Sequence, residues 1–241
     1  MRLRARGPSP RESGEVPRPV PGPVTAVREL PRRAGRYVVE IGGVPLSPVA
    51  VESIADFGLR IGRTVDLEAL ARLCVASEAT ACYDKAIDAL ARRARSTKDL
   101  ERWLLQREQP RAAVDSAVER LTALGLLDDL AFARAFARSR STAKGFGPRR
   151  VAAELGRKGV PRGTADQVIE ELAVAAEEED VEGLSRGERE RAQVRAVAEK
   201  RLRSLASLEP TVARRRLIGW LIRRGHAGAI AAQVARELLP R

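Results

Sequence analysis

The residues best placed to do chemistry are basic, and they come in runs. Arg149 and Arg150 follow Gly145-Phe146-Gly147-Pro148, and Arg214, Arg215 and Arg216 follow Pro210 within two helical turns. Proline suits the first turn of a helix, where its missing N–H is no loss. Arginines in that turn oppose the helix dipole, at about 0.3–1 kcal/mol each. Helix stability therefore does not account for them. Together with the unpaired N–H groups of a helix start, they form a spot suited to oxyanions. The Gly145-x-Gly147-Pro148 string lacks the Gly-Lys-Ser/Thr end of a P-loop and the six-residue dinucleotide fingerprint, so it reads as a tight turn. Asp128-Asp129 stand just before Phe132 with no His, lysine pocket or metal cluster nearby. They read as a helix N-cap rather than as catalytic carboxylates. Lys158 lies four residues after Glu154, the spacing of a surface pair.

Composition narrows the classes. Two Cys and one His are too few for a Cys/His zinc centre or a disulfide framework. Cys74 and Cys82 read as buried thiols, and His226 as a packed turn residue. No nucleophile–base pair, metal site or cofactor site is expected, and so no enzyme. Aromatic residues make up only 3%, which weighs against a large base-stacking surface. No apolar run approaches the roughly 18 residues of a membrane span, and no signal peptide is visible. These features imply a cytoplasmic protein.

The net charge of +12 is unevenly spread. Residues 1–33 carry eight Arg against three Glu, while residues 34–82 are slightly acidic. Residues 83–173 have eighteen basic groups against thirteen acidic, and residues 193–241 eleven against three. Between those blocks, residues 174–192 carry seven acids against three bases. Positive blocks of this kind imply an acidic partner.

These residues must be positioned by the elements around them. Seven prolines in residues 1–33 predict a disordered tail. Tyr37–Ile41, Gly42-Gly43 and Val44–Leu46 predict a short β-hairpin. Val49–Phe57 reads as a helix, and Asp66 caps another through Leu73. From Tyr83 the pattern is helical, in short segments of three- and four-residue periodicity.

Three stretches repeat one another: Leu100-x-x-Trp103-Leu104-x-x-Arg107, Val151-x-x-Glu154-Leu155-x-x-Lys158 and Leu217-x-x-Trp220-Leu221-x-x-Arg224. Each has a helix before it, marked by Ile87/Leu90, Phe132/Phe136 and Val194/Leu202. Each also has one after it, whose apolar positions fall nine, thirteen and seventeen residues beyond Leu104, Leu155 and Leu221. The chain thus predicts tandem three-helix units stacked in an elongated curved array. Trp103 and Trp220, at equivalent positions, read as core anchors. The expected divisions are a disordered tail (1–33), a β-hairpin with helices (34–80), units one (81–127) and two (128–175), an acidic linker (176–192) and unit three (193–241).

The second unit carries a specific string: Gly125-Leu126-Leu127-Asp128-Asp129, Phe132, Gly145-x-Gly147-Pro148, Leu155 and Gly159. It closely resembles the RecX family, regulatory proteins of the RecA recombinase, and the resemblance spans about residues 83–240. It implies a mainly α protein that binds RecA and its filament on single-stranded DNA. It further implies inhibition of recombinase, ATPase and coprotease activity, and so a part in DNA repair and the SOS response. The protein is expected to act as a monomer. Arg138, Arg140, Lys144, Arg149, Arg150, Arg157 and Lys158 of unit two are expected to meet the partner or DNA phosphates. So are Arg214, Arg215, Arg216, Arg223 and Arg224 of unit three. The competing expectation is a DNA-binding module that acts without RecA.

Overall fold

A computed structural model describes residues 18–178 and 185–239. It divides into two compact units, the first ending at Asp84 and the second beginning at Lys85.

The first unit holds a four-stranded antiparallel sheet in the order β3-β2-β1-β4, formed by β1 (Gly22–Glu29), β2 (Arg36–Ile41), β3 (Val44–Ala50) and β4 (Thr64–Val65). The expected hairpin is β2–β3. Its turn, Gly42-Gly43, has φ of 59° and 80°, the left-handed pair that a two-residue turn demands and glycine supplies. The tail expectation needs correction. Residues 1–17 lie outside the described residues, but residues 22–29 form a strand paired with β2 in the register Val24↔Ile41 to Glu29↔Tyr37. Pro23 is tolerated because its carbonyl, not an N–H, takes the bond there, accepting from Gly42 N–H at 2.9 Å. Val24, buried with Val39, Ile41, Val49, Leu59, Val65, Leu70 and Leu73, ties this strand to the core.

Helix α1 is shorter than expected, Val51–Asp56, because Val49 and Ala50 complete β3. Asp66 accepts from Ala69 N–H at 2.8 Å and starts α2 (Leu67–Arg92) as expected. That helix is one element of 26 residues, not two short ones. Residues 74–82 contain no Gly or Pro, and Thr80 bonds back to the Ala76 carbonyl at 2.8 Å, so nothing breaks it. Cys82 is buried, while Cys74 is only half-buried.

The second unit is helical throughout. Helices α3 (Thr97–Leu105) and α4 (Arg111–Ala123) follow the end of α2. Next come α5 (Asp129–Thr142), α6 (Pro148–Arg157) and α7 (Arg162–Glu178), and then α8 (Arg186–Leu202), α9 (Pro210–Arg223) and α10 (Gly228–Leu238). The last two triplets each close on a core of their own. One gathers Ala133, Ala137, Val151, Leu155, Val160 and Val168; the other gathers Val194, Ala198, Leu217, Leu221, Ala231 and Val234. Arg134 of α5 clamps α7, donating to both Glu171 oxygens at 2.7 and 2.8 Å. This guanidinium, helped by Gln167, holds the Glu171 carboxyl down at about 2.

The expected linker, 176–192, is largely helix: α7 runs to Glu178 and α8 begins at Arg186. Ser185 and Glu188 form a capping box, with Ser185 N–H donating to the Glu188 carboxylate at 2.8 Å. That box starts a helix inside the acidic stretch. Residues 179–184 lie outside the described residues. No helix among the described residues is long and apolar enough to cross a membrane, and no three or more His, Cys, Asp or Glu among them gather as a metal would require.

Candidate functional site

The signature string of the second triplet is mostly a set of joints. Gly125 closes α4 with φ of 67°, and Leu126 N–H bonds back to the Leu121 carbonyl at 2.9 Å, the Schellman ending. Leu127 is buried although Leu126 is exposed. Asp128 caps α5 by accepting from the Leu130 and Ala131 N–H groups at 2.8 and 3.0 Å. Asp129 reaches further and accepts from Thr97 N–H, at the start of α3, at 2.7 Å. Phe132 and Phe136 stack at 5.8 Å.

The middle helices of successive triplets meet end to start, twice. At the first junction, the turn after α6 lies on the start of α3. The Lys158 carbonyl accepts from the Ser96 hydroxyl, and Lys158 Nζ lies 3.5 Å from Asp99. A Cβ on Gly159, whose φ is 83°, would fall 2.5 Å from Lys98 Cβ. At the second junction, the turn after α9 lies on the start of α6. The Arg224 carbonyl accepts from Gly147 N–H at 2.8 Å. A Cβ on Gly225, whose φ is 90°, would fall 2.4 Å from the Arg150 nitrogen, and one on Gly147 would fall 2.5 Å from the Gly225 carbonyl carbon. Gly159 and Gly225 are therefore required twice over, by backbone angle and by approach, and Gly147 by approach alone. Among the described residues, the turn after α3 makes no backbone bond to a helix start. Glu108 stands there at φ of 57°, and the Arg107 carbonyl accepts from the Gln109 side chain at 2.8 Å.

The second junction concentrates positive charge. Arg150 and Arg224 lie over the Phe146 ring at 4.0 and 5.0 Å. Arg150 also donates to the Arg223 carbonyl at 3.1 Å, and Arg224 to the Gly145 carbonyl at 3.2 Å. Burial, then the Arg150 charge, pushes the Arg224 pKa down from the usual arginine value. His226 is buried, and its Nε2 lies 3.2 Å from the Gly145 carbonyl. A carbonyl only accepts, so that nitrogen carries the proton. Burial, chiefly, lowers the His226 pKa, so the ring is neutral at neutral pH. This matches the expected packed turn residue.

The expected partner-binding residues fall into two groups. Several are tied up in the fold. Arg140 Nε lies 3.1 Å from Glu154 and its guanidinium over Phe136 at 4.7 Å. Arg214 donates to the Leu239 carbonyl at 3.0 Å, closing the end of α10. Arg150, Lys158 and Arg224 belong to the junctions. Arg150 is therefore not the free oxyanion ligand expected beside Arg149; its guanidinium packs the third triplet onto the second. Arg157 is exposed, 3.9 Å from Glu154. By contrast Arg138, Lys144, Arg149, Arg215, Arg216 and Arg223 are exposed.

One cleft brings two of the expected residues together with others that sequence spacing did not single out. Of about 370 Å³, it is lined by Lys144 and Gly145 after α5, Val197, Lys200 and Arg201 of α8, Ser204, Trp220 of α9, and Arg224 just after it. Lys200 and Arg201 sit in the C-terminal positive block, but only the packing of α8 against the end of α5 puts them beside Lys144. Trp103 and Trp220 are half-buried, and Trp220 packs against the core of the third triplet. Arg224 and Arg201 lie over Trp220 at 4.5 and 5.6 Å, and Arg107 and Arg95 over Trp103 at 3.8 and 5.0 Å.

Comparison with known proteins identifies the helical triplets. Family models of the first and second three-helix domains of RecX match residues 82–121 and 128–169. The regulatory protein RecX of Thermobifida fusca is 31% identical over 150 residues, covering 62% of this chain and 74% of that protein. That of Levilactobacillus brevis is 30% identical over 146 residues, covering 61% of this chain and 55% of its own length. A crystal structure of a regulatory protein RecX shares the fold with a TM-score of 0.68 at 19% identity, covering 88% of this chain and 98% of that one. The RecX structure from Lactobacillus salivarius gives 0.55 at 17% identity, covering 68% and 97%.

Proposed function

The chain belongs to the RecX family, and from that premise we propose that it binds RecA and the RecA filament on single-stranded DNA. There it restrains recombinase, ATPase and coprotease activity, and so regulates DNA repair and the SOS response. Its role is regulatory and not catalytic. On this reading it acts in the cytoplasm as a monomer.

The observation that carries the reading is the set of exposed cations on the second and third triplets. Lys144, Arg149, Arg215 and Arg216 are exposed, and no carboxylate among the described residues pairs with them. A nucleoprotein filament offers both acidic protein surface and phosphate to such groups. The competing reading, a DNA-binding module independent of RecA, is weakened by the tryptophans. Both already carry guanidinium groups, which compete with a base for the ring.

The test is RecA-dependent ATP hydrolysis on single-stranded DNA as this protein is titrated in. Inhibition at far less than one copy per RecA is expected. Unchanged hydrolysis, combined with tight RecA-independent DNA binding, would overturn the proposal.

A further inference from the structure

The cleft between the end of α5, α8 and α9 is a place where the protein has gathered like charges without neutralising them. Lys144 and Lys200 are exposed at its rim. Arg201 and Arg224 form its inner wall and are held over Trp220. No carboxylate lines it. The nearest acid on α8, Glu199, is engaged by Arg195 at 3.2 Å. Arg201 Nε is buried and finds no acceptor among the described residues. A buried donor left unmade is costly, and a cluster of cations is more so. An oxyanion seated between them would relieve both.

The lining also says which anion. A protein partner needs apolar or aromatic anchors in fitted pockets. Here the indole is already taken up by Arg201 and Arg224, and Val197 packs toward Gly145, where an added Cβ would lie 2.8 Å from it. What remains is unneutralised positive charge, which suits a sugar–phosphate backbone.

We propose that this cleft is a phosphate-binding subsite for the backbone of single-stranded DNA, with Lys144, Lys200 and Arg201 as its ligating cations. The site deepens the filament reading and takes its biological setting from it, but it binds DNA without RecA. Its failure and the failure of that reading are therefore separable.

The experiment measures binding of the full chain to a labelled short oligothymidylate by fluorescence anisotropy, without RecA, across a range of salt. Lys144→Ala with Lys200→Ala is expected to weaken binding about tenfold or more at low salt. The slope of log affinity against log salt should fall by about 1.4, two phosphate contacts on a single strand. Arg201→Gln should weaken binding further. The pair Arg102→Ala with Arg236→Ala removes equal charge at exposed positions elsewhere and should leave affinity within about twofold. Equal losses from the two pairs would overturn the site, as would no binding. So would competition by polyglutamate as effective as by unlabelled oligothymidylate of equal charge, which would assign the cleft to an acidic protein segment. Displacement by inorganic pyrophosphate at matched phosphate concentration would assign it to free phosphates and overturn it equally.

Discussion

The two junctions between helical triplets use a similar glycine-turn device with different electrostatics. In both, a left-handed glycine ends one middle helix and rests on the start of another, and the carbonyl before it accepts a bond from that helix's N-cap residue. The third position of the receiving helix is Asp99 in the first junction and Arg150 in the second. The residue facing it is Lys158 in the first and Arg224 in the second. The first junction is thus an ion pair, further tied by Arg95, which lies 3.1 Å from Asp99. The second sets Arg224 beside Arg150, which also lies 3.3 Å from Glu154 of its own helix; Phe146 and backbone carbonyls hold both guanidinium groups. The two junctions differ in the charge they carry, and the cleft opens on the side of the second, with Arg224 in both.

The largest effect expected on this contrast comes from the glycines. Gly225→Ala places a Cβ against backbone and should destabilise by about 3 kcal/mol or more, adding left-handed strain to overpacking. Gly159→Ala should cost nearly as much. Glu108→Gly, at the equivalent turn with no backbone bond to a helix start among the described residues, should change stability by less than about 1 kcal/mol. Denaturant unfolding distinguishes them; equal small costs at all three would mean that the junctions are not closely packed.

Next comes Asp99→Asn. It leaves Arg95 buried with no charge partner and should cost about 2–4 kcal/mol in the first junction, leaving DNA binding by the cleft intact. A loss below about 0.5 kcal/mol would reduce the pair to a surface contact.

The smallest effect is pH dependence at the second junction. The folded His226 pKa lies below its ordinary value of 6.5, so between the two values the unfolded chain binds more protons. The neutral ring's stability is full above about 6.5 and is lost as pH falls through that value toward the folded pKa. Melting at a series of pH values should show this decline, and His226→Gln should remove it. An identical profile in the variant would place the titration elsewhere.

Much of this was legible in the sequence because it depends on local rules. Asp128 caps α5, Pro148 opens α6, and Gly159 and Gly225 end their helices where spacing places them. The three-helix triplets followed from apolar periodicity. The first strand was masked by proline density: residues 22–29 owe their order to pairing with β2, a long-range effect that composition does not carry. The Ser185–Glu188 capping box lies within an acidic stretch, where composition reads as linker and only the local Ser-x-x-Glu spacing marks a helix start. Within the site, Arg224 stands in a basic pair and Lys144 just before the Gly145-x-Gly147-Pro148 turn, so sequence marks both. Lys200 and Arg201 are not marked, since only tertiary packing brings α8 beside the end of α5. Arg150 sits at a helix start as its position suggests, while its bond to the Arg223 carbonyl, from a turn far along the chain, is a long-range feature that sequence does not carry.

The most direct test of the account compares two targets at one salt concentration: an oligonucleotide coated with RecA and the same oligonucleotide bare. With labelled full-length chain titrated against each, the account predicts tighter binding to the RecA-coated strand, weakened when Lys144, Arg149, Arg215 and Arg216 are replaced together by alanine. Equal or tighter binding to the bare strand would contradict it and leave a DNA-binding protein that acts without RecA.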